Sequence, residues 1–136
     1  MTNGYSGTSL AQKLGLKPGM RAWCQNVPDG VRAEIDRDAP RHVRLDLPEA
    51  PVEFAHVFVT SCAVLDCELR MLLPLLDPAG MIWVSWPKKA SKVATDITED
   101  VIRAVAIPLH LVDVKVCAVD DIWSGLKLVI RKEHRS

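Results

Sequence analysis

The sequence predicts one α/β domain of the three-layer, Rossmann-like kind, with a mostly parallel sheet that ends in an antiparallel hairpin. Three observations carry this. Apolar strand segments alternate with stretches of helical period, the pattern of a parallel sheet with crossover helices. Residues 54–60 (FAHVFVT) and 81–86 (MIWVSW) are apolar at nearly every position, as strands buried on both faces are. The last two strand segments, 111–119 and 124–131, lie too close for a crossover helix, so they pair antiparallel.

The elements follow in order. Residues 1–8 read as a loose arm before a domain over 9–136. Ser9 and Gln12 have capping-box spacing, Leu10 and Leu14 sit one turn apart and Gly15 suits a C-cap, so a short helix covers 9–14. A strand is expected over 20–25. Residues 27–53 carry Pro28, Pro40, Pro48 and Pro51 among many charges, with a short helix starting near Pro28. Val43, Leu45 and Leu47 alternate with Arg44 and Asp46, which suits a half-buried edge strand. After the strand at 54–60, Leu65, Leu69, Leu72, Leu73 and Leu76 form one helical stripe, and Pro74 distorts its last turn. Residues 77–80 read as a turn. Pro87 ends the strand at 81–86. Asp96 and Glu99 have capping-box spacing for a helix over 96–107, which Pro108 ends. In the final hairpin, a register with Asp113 opposite Arg131 keeps polar and apolar faces apart.

Composition narrows the function. At 136 residues the chain is long enough for one full core. Lys plus Arg and Asp plus Glu balance at 17 each, so there is no global field to hold a polyanion and nucleic acid is not expected as a general partner. No apolar run has bilayer length and the start MTNGYSGTS lacks a signal-peptide pattern, so a cytoplasmic protein is expected. Cys24, Cys62, Cys67 and Cys117 form no CxxC pair, and buried structural thiols are expected rather than a metal or redox site. His56, inside an apolar strand, reads as a core histidine, with a Cys62–His56 dyad as the alternative.

Some segments resemble known proteins. KPGMRAWCQN resembles the first strand of S-adenosylmethionine-dependent methyltransferases, DPAGMIWVSWPK their fifth, and the terminal hairpin their sixth and seventh. GYSGTSLAQKLGLKPGM, HVFVTS, GMIWVSWPKKASKVATDITEDVIR and VDVKVCAVDDIWSGLKLVIRK together resemble a family of small bacterial proteins of unknown function. The first resemblance implies a truncated methyltransferase-like fold, with strand order first, second, third, fifth, fourth among the five main strands. The chain departs from that pattern after its first strand. Those enzymes place a glycine-rich turn there, so that backbone can approach the cofactor, and an acidic residue about twenty positions on. Here the turn is Gln25-Asn26-Val27-Pro28-Asp29-Gly30, and Asp46, which follows an edge-strand pattern, is a candidate for the acid. The middle of the fold is also short. About six residues separate Leu47 from Phe54, reaching at most ~20 Å, too few for a helical crossover. So 43–47 is either an edge strand with an extended connection or an antiparallel addition.

In open α/β sheets, ligands bind beyond the carboxyl ends of the strands. Four such ends supply the candidate ligand-binding residues: Gln25 and Asn26; Thr60 and Ser61; Trp86, Lys88, Lys89, Ser91 and Lys92; and the hairpin turn with Asp120, Asp121 and Trp123. The lysines suit a phosphate or carboxylate, or face solvent. The two tryptophans suit a planar ligand or partner, or pack as core. Asp120 and Asp121 are expected to pair with the lysine loop. The expected function is a non-catalytic module that binds an anionic small ligand or a partner protein at this edge, with no cofactor or metal. A minimal methyltransferase-like enzyme and a nucleic-acid accessory protein are the alternatives.

Overall fold

The computed structural model describes residues 8–135. All but the last residue of the expected loose arm therefore falls outside it. Six strands form one sheet in the order β2-β1-β3-β4-β6-β5. They are β1 (Arg21–Gln25), β2 (Val43–Arg44), β3 (Val52–Phe58), β4 (Leu76–Pro87), β5 (Leu111–Ala118) and β6 (Trp123–Ile130). The first four pair in parallel, and β6 runs antiparallel between β4 and β5. The expected order of the five main strands is the observed one.

Four α-helices flank the sheet: α1 (Leu10–Leu14), α2 (Asp29–Asp38), α3 (Cys62–Leu72) and α4 (Glu99–Ala106). Leu10 and Leu14 of α1, with Val31 and Ile35 of α2, share one core with Phe54, Met81 and Trp83. On the other face, Leu65, Leu69 and Leu72 of α3 and Ile102 of α4 pack with Val57, Ile82, Val84 and Leu126. The period-3.6 stripes and the doubly apolar strands produce these layers. Among the described residues no helix is long and apolar enough to cross a membrane.

Local chemistry explains the ends of α1. Ser9 Oγ accepts from Gln12 N, Gln12 Oε1 accepts from Ser9 N, and Gly15 takes φ 81°, which a glycine adopts without a Cβ penalty. Residues 73–75 continue α3 as a 3₁₀ turn around Pro74, and Leu76 already belongs to β4. The segment read as a turn at 77–80 lies inside β4, where the β3 register shifts between Val52↔Leu76 and Phe54↔Met81.

Two further expectations need correction. First, Asp96 does not cap its own helix. Thr98 is the N-cap of α4, its Oγ1 accepting from Val101 N, while Asp96 Oδ1 accepts from Cys62 N at 2.7 Å and closes the first turn of α3. Second, Asp113 faces Leu128, not Arg131. The β5–β6 register shifts between Asp113 and Lys115, so Val114 is an extra residue on β5 and strict alternation fails there. Asp113 turns to α4 instead, where Arg103 Nε donates to its Oδ2 at 3.1 Å. Of the two alternatives for 43–47, the edge strand with an extended connection is the observed one: β2 is a parallel edge strand, but only Val43 and Arg44 pair and both are exposed rather than half-buried. The short return to β3 is held by Arg21, whose Nε and Nη2 donate to the carbonyls of Pro51 and Glu49.

Chain direction reverses between β1 and β3. From β1 the chain moves outward through α2 to β2, and from β3 it moves the other way through α3 to β4. The β1/β3 boundary is therefore the topological switch point, where open α/β sheets bind ligands.

Candidate functional site

The carboxyl ends of β1, β3 and β4 and the β5–β6 turn lie along one edge. Gln25 pairs with Val57, Phe58 with Ser85, and Pro87 with Trp123. Two clefts open there.

The smaller, about 360 Å³, sits at the switch point. Asn26, Phe58, Val59, Thr60, Ser61, Val64 and Trp123 line it. Asn26 follows β1 with φ 60°, a left-handed conformation that Asn adopts more readily than most side chains. Ser61 caps α3 through its Oγ, which accepts from Val64 N. Trp123 packs edge-on against Phe58, with ring centroids 5.2 Å apart and planes at 78°. No lining residue of this cleft is ionisable.

The larger, about 690 Å³, lies between the end of β4 and α4. Trp86, Lys89, Thr95, Ile97, Glu99 and Arg103 are among its walls. Arg103 is already committed to three carboxylates, those of Glu99, Asp100 and Asp113. Thr95 Oγ1 donates to Thr60 O at 2.7 Å, so the loop bordering the large cleft is tied to a residue of the small one.

The structure thus brings four expected residues, Asn26, Thr60, Ser61 and Trp123, to one cleft. It places Trp86 and Lys89 in the other. Trp86 is only 8% exposed and forms core as well as wall. Lys88 spends its ammonium on the hairpin, donating to Asp120 O at 2.7 Å, and its own N–H donates to Ile122 O. Ser91 Oγ donates to Lys88 O and shapes the loop. Lys92, at φ 62°, and Asp121 are exposed, and Gln25 lines neither cleft. The expected ion pairs between Asp120, Asp121 and the lysine loop do not form. The Asp120 carboxylate instead accepts from the N–H groups of Ile122 and Trp123 and makes the turn. Phe58, Val59 and Val64 were not expected as lining. Apolar residues at a strand end and in a helix's first turn read as core in one dimension.

His56 is a core residue. Its ring has no exposure, stacks on Phe58 at 4.4 Å and places Nε2 2.7 Å from Ser85 Oγ, which is equally buried. It turns to Ser85 and makes no dyad with Cys62. Burial, and then the Arg32 guanidinium, push its pKa down to about 3. This gives a pH prediction. The unfolded chain takes up a proton near pH 6.5, while the folded chain resists it until about pH 3. The neutral, buried ring therefore favours folding fully above pH 6.5. As pH falls from 6.5 toward 3, stability should drop by up to about 1.4 kcal/mol per pH unit. Urea midpoints between pH 7 and 4 should show this slope, and His56→Gln should flatten it. An unchanged slope in the variant would assign acid sensitivity to other groups.

The Cys24 thiol is likewise pushed up, chiefly by burial, and so is that of Cys117, which fits structural thiols, whereas Cys67 is exposed and Cys62 only partly buried, so the expected burial does not extend to all four.

No family model matches the sequence, and no curated protein sequence does. The fold does have solved counterparts. A putative type 11 methyltransferase from Sulfolobus solfataricus superposes with a TM-score of 0.58 at 14% identity, over 93% of this chain and 95% of that one. Magnesium protoporphyrin IX methyltransferase from Synechocystis PCC 6803, solved with bound SAM, gives 0.56 at 9%, over 89% and 74%. A ribosomal protein L11 methylase from Lactobacillus delbrueckii subsp. bulgaricus gives 0.55 at 8%, over 90% and 75%. The chain has the methyltransferase-type Rossmann-like fold. At these identities the likeness concerns the fold alone.

The residues at the switch point fit the methyltransferase cofactor poorly. The turn after β1 has no glycine before Gly30, and Pro28, which precedes α2, offers no N–H. Asp29 puts a carboxylate in the first turn of α2. Asp46 lines a separate cavity of about 210 Å³ with Cys24, Arg32 and Arg44, so no acid lines the switch-point cleft to hold ribose hydroxyls.

Proposed function

We propose that this chain is a non-catalytic binding module on a shortened methyltransferase-type scaffold, and that its ligand is a small, uncharged, planar molecule seated in the switch-point cleft. The observation that carries this is the neutral lining by Asn26, Thr60, Ser61 and Trp123 at the position where open α/β sheets bind ligands. An indole edge, two hydroxyls and an amide suit a heteroaromatic ring with hydrogen-bonding edges. General acid–base chemistry needs a titratable group within reach, and this lining has none. The anionic ligand expected at the lysine loop loses support, because Lys88 is engaged by Asp120 O and Lys89 and Lys92 lie outside this cleft.

S-adenosylmethionine-dependent methyl transfer is the second reading. The fold likeness and the position of the cleft favour it, and transfer by proximity needs no titratable lining. The glycine-free turn from Gln25 to Asp29 weighs against it.

A thermal-shift screen of nucleosides and other neutral heteroaromatics tests the proposal. A ligand at a hundred times its Kd stabilises the folded state by about 2.7 kcal/mol, which shows as a shift of several degrees. Asn26→Gly keeps the left-handed turn and removes the amide, and Trp123→Ala removes the indole. Both should abolish the shift. If no neutral compound stabilises the protein, or the shift survives both changes, the proposal is wrong.

A further inference from the structure

A second cluster of cations lies on the face of the sheet that α1 covers. Lys115 and Lys127 stand directly opposite each other in the β5–β6 register. Lys115 Nζ reaches α1 and donates to Lys13 O at 3.2 Å. Lys17 follows α1 closely and acts on the Lys127 ammonium, whose pKa is lowered by burial, then by Lys115, then by Lys17.

Like charges directly opposite in a sheet are destabilising. Here no carboxylate among the described residues forms an ion pair with either of them. Every ion pair among the described residues uses an arginine, and none uses a lysine. Glu34 shares a shallow cleft with Lys13 but forms no ion pair there. The negative end of α1 accounts for Lys13 and for the Lys115 contact. It does not account for Lys127, which is half-buried opposite Lys115.

We infer that Lys17, Lys115 and Lys127 form a binding site for a compact multivalent phosphate of the diphosphate class. A single carboxylate would answer one of these three cations. A diphosphate presents several charges and many acceptor oxygens within a few ångströms, and lysine ammonium groups bind phosphate as point charges. The site is independent of the switch-point cleft, so either can fail without the other.

Calorimetry of pyrophosphate titrated into the full chain at low salt tests it, with ADP as a second probe. Saturable binding that weakens as salt rises is expected. Lys127→Met should raise Kd at least tenfold while the ligand-free variant melts no lower than the parent, because a repulsion has been removed. Lys17→Met, at an exposed position, should weaken binding in the same direction and guards against a folding defect in the first variant. Lys89→Ala should bind as the parent does. Tighter binding of ADP than of pyrophosphate would point to a nucleotide, and equal binding to a free diphosphate. The inference is overturned if neither probe binds, if Lys127→Met and Lys17→Met bind as the parent, or if Lys89→Ala abolishes binding.

Discussion

Trp83→Ala should cost this protein about 3–5 kcal/mol, the usual range for removing a fully buried aromatic side chain, plus the loss of one buried hydrogen bond. Trp83 has no exposure, and its Nε1 donates to Leu14 O at 2.7 Å. That bond ties the central strand β4 to the end of α1, across 69 residues of sequence. The indole also packs against Gly125 on β6, where a Cβ would sit only 3.1 Å from the ring. Domains of this kind hold about 5–15 kcal/mol in all, so the variant should be marginal at best. Trp83→Phe keeps most of the apolar volume but orphans the Leu14 carbonyl, and should cost about 1–3 kcal/mol. Denaturant midpoints check both. A loss below about 1 kcal/mol for Trp83→Ala would mean that this layer is not tightly packed.

Among the described glycines, Gly80 is where an added methyl group meets the closest contacts, so Gly80→Ala should destabilise the protein. A Cβ there would meet Val52 O at 2.9 Å, Asp77 O at 3.0 Å and Leu76 Cδ1 at 3.0 Å. Two of the three are backbone atoms, which cannot rotate away. Gly80 sits where β4 shifts register against β3, so relief would require moving the strand pair itself. Overpacking of this kind costs about 1–3 kcal/mol, or a fall in Tm of roughly 3–12 °C at this size. Gly30, in α2, has nothing within 4 Å of its added Cβ. Gly30→Ala should therefore stabilise the fold, by up to about 1 kcal/mol. Equal effects at the two positions would refute the crowding argument.

The layers were legible because they follow from local pattern, while the strand order came from the resemblance to methyltransferases. Ser9, Gln12 and Gly15 specify α1 within a few residues of one another, and Leu65, Leu69 and Leu72 declare their face by spacing alone. What stayed hidden was non-local. Asp96 looked like a cap for its own helix because Glu99 stands three residues on, yet its partner, the Cys62 N–H, is 34 residues away. The hairpin register was two residues off beside the turn, where Lys115 faces Lys127 rather than Val129, and the extra residue Val114 shifts it once more so that Asp113 faces Leu128. The site was legible as an edge but not as a cleft. Charge drew attention to the lysine loop, while the switch-point lining carries none and gathers residues from three separate segments. Lys88, the most conspicuous candidate, turned out to brace the hairpin through a backbone carbonyl that no sequence pattern marks.

The central claim is that a methyltransferase-type fold here carries a neutral ligand cleft in place of a methyltransferase cofactor site. Isothermal titration of S-adenosylmethionine into the full chain tests it most directly. The glycine-free turn from Gln25 to Asp29 and the absence of an acid in the switch-point lining predict weak binding or none. Low-micromolar, saturable binding lost on Trp123→Ala would contradict the claim and put methyl transfer first.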